Sequence, residues 1–113
     1  MENRIYEHIV ERLSRHFTPS YIYTEQSSLP YCVYEVSQES PVYAKSGIIG
    51  YKADATVYLA AATEGQSTEM KNTALLLLNE RSKQFTINVT SVQPAFGDDQ
   101  WLQKIDFTVT QLY

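Results

Sequence analysis

The sequence predicts an α+β fold: a mostly antiparallel sheet with two helices packed on one face, in the order α-β-β-β-α-β-β. Three observations predict it. Two segments, one N-terminal and one beginning near Thr63, repeat apolar residues at helical spacing. The other segments are rich in aromatic and β-branched residues and mostly alternate with polar ones. Few residues separate the last two of these, which makes them antiparallel neighbours. A chain of 113 residues, 43% hydrophobic and 19% charged, is one globular domain over 1–113 with a single core.

The first helix is predicted over Glu2 to His16. Ile5, Ile9 and Leu13 fall at i, i+4 and i+8, with Tyr6 and Val10 widening the stripe, while Glu7, Glu11, Arg12 and Arg15 point elsewhere. Pro19 closes this region, and "YIYTEQ" from Tyr21 reads as a short strand. "YCVYEVSQ", Tyr31 to Gln38, is a strand with apolar residues on both faces, so it belongs inside the sheet or is partly covered on both sides. In "YKADATVYLAA", Tyr51, Ala53, Ala55, Val57 and Leu59 share one face, and their small alanines imply a helix packed closely above.

The second helix follows. Thr63 with Gln66 forms a capping-box pattern, and Ser67 is an alternative start. Met70, Ala74, Leu77 and Leu78 supply the stripe, and Arg81 and Lys83 suit its C-terminal end. Phe85, Ile87 and Val89 then alternate with Thr86, Asn88 and Thr90. After the turn "AFGDDQ", Trp101, Ile105, Phe107 and Val109 face opposite to Lys104, Asp106, Thr108 and Thr110.

The net charge of -4 argues against gripping bare DNA, where affinity comes from basic side chains on phosphates. The single cysteine, Cys32, has no internal partner and suits a reducing compartment. The N-terminal "MENRIYEHIV" has no apolar core of signal-peptide length, and the longest aliphatic run, Ala74 to Leu78, is far short of a membrane span.

No catalytic constellation emerges. His8 and His16 lie eight residues apart on one helix, about 12 Å of rise, and "HIVER" lacks the spacing of a zinc-protease helix. Both histidines read as solvated or helix-end residues. Cys32, in a strand without basic neighbours, reads as a buried and inert thiol. Asp98 and Asp99 belong to a turn and lack the further oxygen ligands of a calcium loop. The expectation is a protein without enzymatic activity, cofactor or metal.

Two features remain. There are nine tyrosines: tyrosine favours strands, where several can half-bury on a sheet, and it is also enriched where proteins meet, so both readings stand for different tyrosines. The stretch "SQESPVYAKSGIIG", Ser37 to Gly50, is far longer than a hairpin turn requires. It reads either as a long connection forming an arm, or as strands that continue to a tight turn near Lys45 to Gly47. In either form Pro41, Val42, Tyr43, Lys45, Ile48 and Ile49 offer surface for a partner, with Gly47 and Gly50 allowing unusual backbone angles. Tyr21, Tyr23 and Tyr34 are candidates for a second patch, and Glu35, Glu39 and Asp54 for an acidic lumen.

The segments "LPYCVYEV", from Leu29, and "GYKADATVYLAAATEG", from Gly50, joined by the long connection and followed by a helix and a closing hairpin, resemble the tail-completion family of tailed bacteriophages. This group includes tail-terminator and head–tail joining proteins. The resemblance covers roughly Ile5 to Leu112 and is one of layout, without a catalytic signature. It implies a non-enzymatic virion subunit of a phage or prophage, assembled in the host cytoplasm. Copies would form a ring, commonly of six, that ends tail-tube growth and docks to tail-tube and head-connector proteins. DNA would at most pass through its lumen, and no membrane is involved. A different reading of the same residues is a small ligand-binding or regulatory domain with a tyrosine-lined pocket.

Overall fold

The computed structural model describes residues 3–21 and 28–113. The elements are α1 (Ile5–Leu13), β1 (Pro19–Tyr21), β2 (Tyr31–Ala44), β3 (Gly47–Ala61), α2 (Glu64–Leu77), β4 (Glu80–Arg81), β5 (Phe85–Gly97) and β6 (Gln100–Leu112). The strands form one six-stranded sheet in the order β1-β2-β3-β6-β5-β4. All pairings are antiparallel except β1 with β2. This is the α+β arrangement predicted, with the two-residue β4 added before the closing hairpin.

The register explains the core. Tyr51, Ala53, Ala55, Val57 and Leu59 of β3 stand beside Gln111, Val109, Phe107, Ile105 and Gln103 of β6. Both helices cover this face. Ile5, Ile9 and Leu13 of α1 are fully buried on it, with Met70 and Ala74 of α2 and Leu78 just past its end. Ala53 and Ala55 leave room for the helices to approach, as their small side chains imply.

Helix α1 is shorter than predicted. Asn3 Oδ1 accepts from the Ile5 N–H (3.0 Å), and the Arg4 N–H donates to Gln111 Oε1 of β6 (2.8 Å), so the sheet takes hold of the chain just before the helix. At the other end the Phe17 N–H closes onto the Leu13 carbonyl (2.8 Å). The strand expected from Tyr21 begins earlier, at Pro19, and is described only to Tyr21; Tyr23 lies outside the described residues.

The Thr63 cap is as predicted: its hydroxyl accepts from the Gln66 N–H (3.2 Å). Ser67 is not the start but a buried residue within the helix, accepting from Gln103 Nε2 (3.2 Å). The far end corrects the sequence reading. The helix stops at Leu77, so Arg81 and Lys83 lie beyond it, and Arg81 belongs to β4. The cation at its C-terminus comes from α1: Arg12 Nε donates to the Leu77 carbonyl (2.7 Å).

Arg12, expected on an outward face, is therefore largely buried, with 12% of its side chain exposed, and its guanidinium lies 3.7 Å from Glu80 Oε2. His8, expected to be solvated or at a helix end, pairs instead through Nε2 with Glu80 Oε1 and stacks flat on Phe85, ring centroids 3.7 Å apart. His16 is exposed as expected. Helical spacing alone could not show that β4 would place a carboxylate beside α1.

Candidate interaction site

The stretch Ser37 to Gly50 is not a loop. β2 and β3 run on through it, pairing Val42 with Gly50, Tyr43 with Ile48 and Ala44 with Gly47 around the turn residues Lys45 and Ser46. The continued-strand reading is the one observed. Register shifts between Val36 and Gln38 and between Val42 and Tyr43 break the two-residue alternation, which is why the segment does not look like a strand. Gly47 takes a φ of +118°, as its place after the turn requires. Gly50 serves differently: a Cβ there would run into the Gln111 backbone carbonyl, so its small size lets β3 and β6 approach.

β6 ends opposite Gly50, and the Tyr113 N–H donates to the Ile49 carbonyl (2.9 Å). The hairpin tip thus extends beyond the rest of the sheet as a short arm. On it Pro41, Tyr43, Lys45 and Ile48 are exposed, while Val42 and Ile49 are half-buried. Tyr43 is 68% exposed, more than any other aromatic residue among those described.

Tyr21 and Tyr34 do come together, as an edge-on pair with centroids 5.3 Å apart, and Tyr6 of α1 joins Tyr21 at 6.2 Å. Tyr34 packs against the core, and burial, with Tyr21 close by, raises its phenol pKa. Much of this patch is therefore intramolecular packing. Tyr58 donates to Glu35 (2.9 Å), and burial followed by that carboxylate raises its pKa.

The acidic trio does not share a face. Glu35 pairs in register with Thr56, and Gln38 with Asp54, on the face away from the helices, whereas Glu39 pairs with Ala53 on the helix face and accepts from Asn3 (3.0 Å). The bulge at Ser37 produces this, because one extra residue turns every later side chain over. Asp106 joins Glu35 and Asp54 on the open face, its carboxylate accepting from Thr56 (2.6 Å), and Lys52 and Lys104 lie among them.

A second surface was missed from the sequence. Val89, Val92, Pro94 and Phe96 of β5 pair with Phe107, Ile105, Gln103 and Trp101, which puts all four on the helix face. The helices do not reach over them: 9 and 14 residues span about 14 and 21 Å, against over 40 Å for strands of 13 to 15 residues. Val89, Val92 and Phe96 stay exposed, Phe96 by 59%, and Leu76 of α2 stands beside this strip with 74% of its surface open. The alternation Val92, Pro94, Phe96 is visible in the sequence, but it is out of phase with Phe85, Ile87 and Val89 because of a bulge at Thr90.

At the end of this strip lies a cleft of about 640 Å³ between α2 and the β5–β6 hairpin, lined by Ser67, Lys71, Pro94, Phe96, Trp101 and Gln103, among others. Phe96 and Trp101 meet with ring centroids 4.7 Å apart. Gln103 is 93% buried, the complement of its 7% exposure, and among the described residues its Oε1 has no hydrogen-bond partner. A separate cleft of about 820 Å³ runs beside Phe17, Tyr31, Cys32 and Met70. Among the described residues, Tyr31 is the tyrosine that lines this cleft, and the cleft beside Phe96 and Trp101 carries none.

Cys32 is buried, and burial alone pushes its thiol pKa up to about 12, so it is the inert thiol expected. Among the described residues no helix is long and apolar enough to cross a membrane.

These features define a class of structure: one mostly antiparallel sheet, helices on one face, a projecting hairpin at one end and an uncovered apolar strip near the other. No protein-family model matches the chain, and no curated protein matches it either.

Proposed function

We propose that this chain is a non-enzymatic structural subunit of a tailed phage or prophage, which joins copies of itself into a ring at the tail end or head–tail junction. The ring ends tail-tube growth and offers a docking face to head-connector proteins, while DNA passes its lumen without being gripped. The layout resembles the tail-completion family. The observation that carries the reading is the pairing of an exposed arm, bearing Tyr43 and Ile48, with an apolar strip of Leu76, Val89, Val92 and Phe96. Contiguous apolar surface of this kind marks a binding site. Two such surfaces on one small subunit suit an assembly with neighbours on both sides.

The test is native mass by light scattering over a concentration series, together with binding to a phage tail-tube protein. A ring-sized species, or capture at the end of tail tubes, is expected. A monomer that binds no tail-tube protein would refute the assignment.

A further inference from the structure

The two open sheet edges limit how copies of this chain can meet. β1 covers only Cys32 to Tyr34 of β2, and β4 covers only Thr86 and Ile87 of β5. Beyond these, among the described residues, both strands are edges that could add a strand from another molecule. Each is guarded in the same way. β2 carries a bulge at Ser37 and a proline at Pro41; β5 carries a bulge at Thr90 and a proline at Pro94. Bulges twist an edge away and proline removes a ladder donor, and natural sheets use both to prevent edge-to-edge pairing. Contact between copies then falls to side-chain surfaces.

The arm and the cleft of Phe96, Trp101 and Gln103 complement each other in three respects. The arm presents an exposed phenol at Tyr43 and an aliphatic side chain at Ile48, and the cleft presents two aromatic rings and Pro94. The Tyr43 hydroxyl can donate or accept, and Gln103 has a buried amide oxygen that finds no partner among the described residues. The arm tip carries Lys45. The cleft rim carries Glu64, with Lys71 opposing it, and the adjoining turn adds Asp98 and Asp99, so the receiving end is net acidic.

The two surfaces cannot meet within one chain. The arm tip lies past Gly50 and Leu112, whereas the cleft lies where Ala61 pairs with Trp101, at the opposite end of β3 and β6 in a molecule 52 Å long. We propose that the arm of one copy seats in the Phe96–Trp101–Gln103 cleft of the next. This rests on the reading of the chain as a self-assembling subunit, and it names the contact. Because the surfaces differ, the contact is heterologous: an open chain of copies keeps a free arm at one end and a free cleft at the other until a ring closes.

The experiment uses two full-length variants, each checked for folding by circular dichroism. One alters the arm, Tyr43→Ala with Lys45→Glu; the other alters the cleft, Phe96→Ala with Asp99→Asn, where asparagine keeps the left-handed backbone of Asp99 (φ 59°). Sedimentation velocity should show each variant weakened in self-association by at least about tenfold, as loss of a central aromatic contact does. Mixed together, they retain one intact arm and one intact cleft, so they should form a heterodimer and stop there. Two results would overturn the contact. If both variants assemble like the unaltered protein, the arm–cleft junction is wrong while the ring reading stands. If the unaltered protein stays monomeric throughout and Tyr43→Cys fails to form an oxidised cross-link with Phe96→Cys, copies do not meet this way, and tail-tube binding alone then decides the tail-end reading.

Discussion

Replacing Arg12 by alanine should destabilise the protein by about 1.5–3 kcal/mol, the range for a hydrogen bond to a charged group whose partner is left buried. Arg12 serves two groups at once. Its Nε caps the Leu77 carbonyl at 2.7 Å, and its guanidinium lies 3.7 Å from Glu80. The first is a well-formed charged hydrogen bond at a helix end; the second, at its longer distance, contributes less. Removing the side chain leaves Glu80, with 18% of its side chain exposed, to His8 alone, and leaves a carbonyl of α2 without its cap. Arg15 provides the control on the same helix. Its ion pair with Glu11 is shorter, at 2.8 Å, but both side chains are about half exposed, so Arg15→Ala should cost less than about 0.5 kcal/mol. Urea unfolding followed by Trp101 fluorescence measures both. Equal and small effects would mean that the Arg12–Leu77 contact does not hold α1 to α2, and the account of how the helices are joined would fail. Glu80→Gln separates the two terms, because it weakens the ion pair and leaves the cap.

Two further outcomes follow from buried positions. Gly50→Ala brings a methyl group into the Gln111 carbonyl and should cost about 1–3 kcal/mol or more, read as a lowered melting temperature; an unchanged value would show that β3 and β6 have slack at that point. The Cys32 thiol, with its pKa raised to about 12 by burial, keeps its proton in the folded state well after an unfolded thiol has lost it. Its contribution to stability is therefore complete below about pH 9 and is lost as pH rises toward 12. A thiol reagent at pH 8 should label it only on unfolding, and rapid labelling of the folded protein would contradict the burial.

Local pattern was enough where a residue's role depends on its neighbours along the chain. Ile5, Ile9 and Leu13 are buried, Thr63 caps α2, and Ala53, Ala55, Val57 and Leu59 face the helices, because helical and strand periods hold over those segments. The arm and the apolar strip were legible only in part. The arm residues stood out, but their bulged pairing did not; Val92, Pro94 and Phe96 alternate as a strand should, yet one extra residue at Thr90 hides their continuity with Phe85 and Ile87. A bulge is set by the partner strand's register, and that register is not written in the strand itself.

Sequence by itself determined the α+β class, the two helices and most of the strands in outline, and the apolar stripes Ile5–Ile9–Leu13 and Ala53–Ala55–Val57–Leu59 that leave water. Tertiary structure decided what those segments do to each other. Whether Glu39 joins Glu35 or turns away depends on a bulge against β3. That Arg12 caps α2 depends on two helices crossing one sheet, and the exposure of Phe96 depends on helices too short to cover β5. The physical reason is common to all three: periodicity is a local property of the backbone, whereas burial and pairing are set by whatever element the rest of the chain brings alongside.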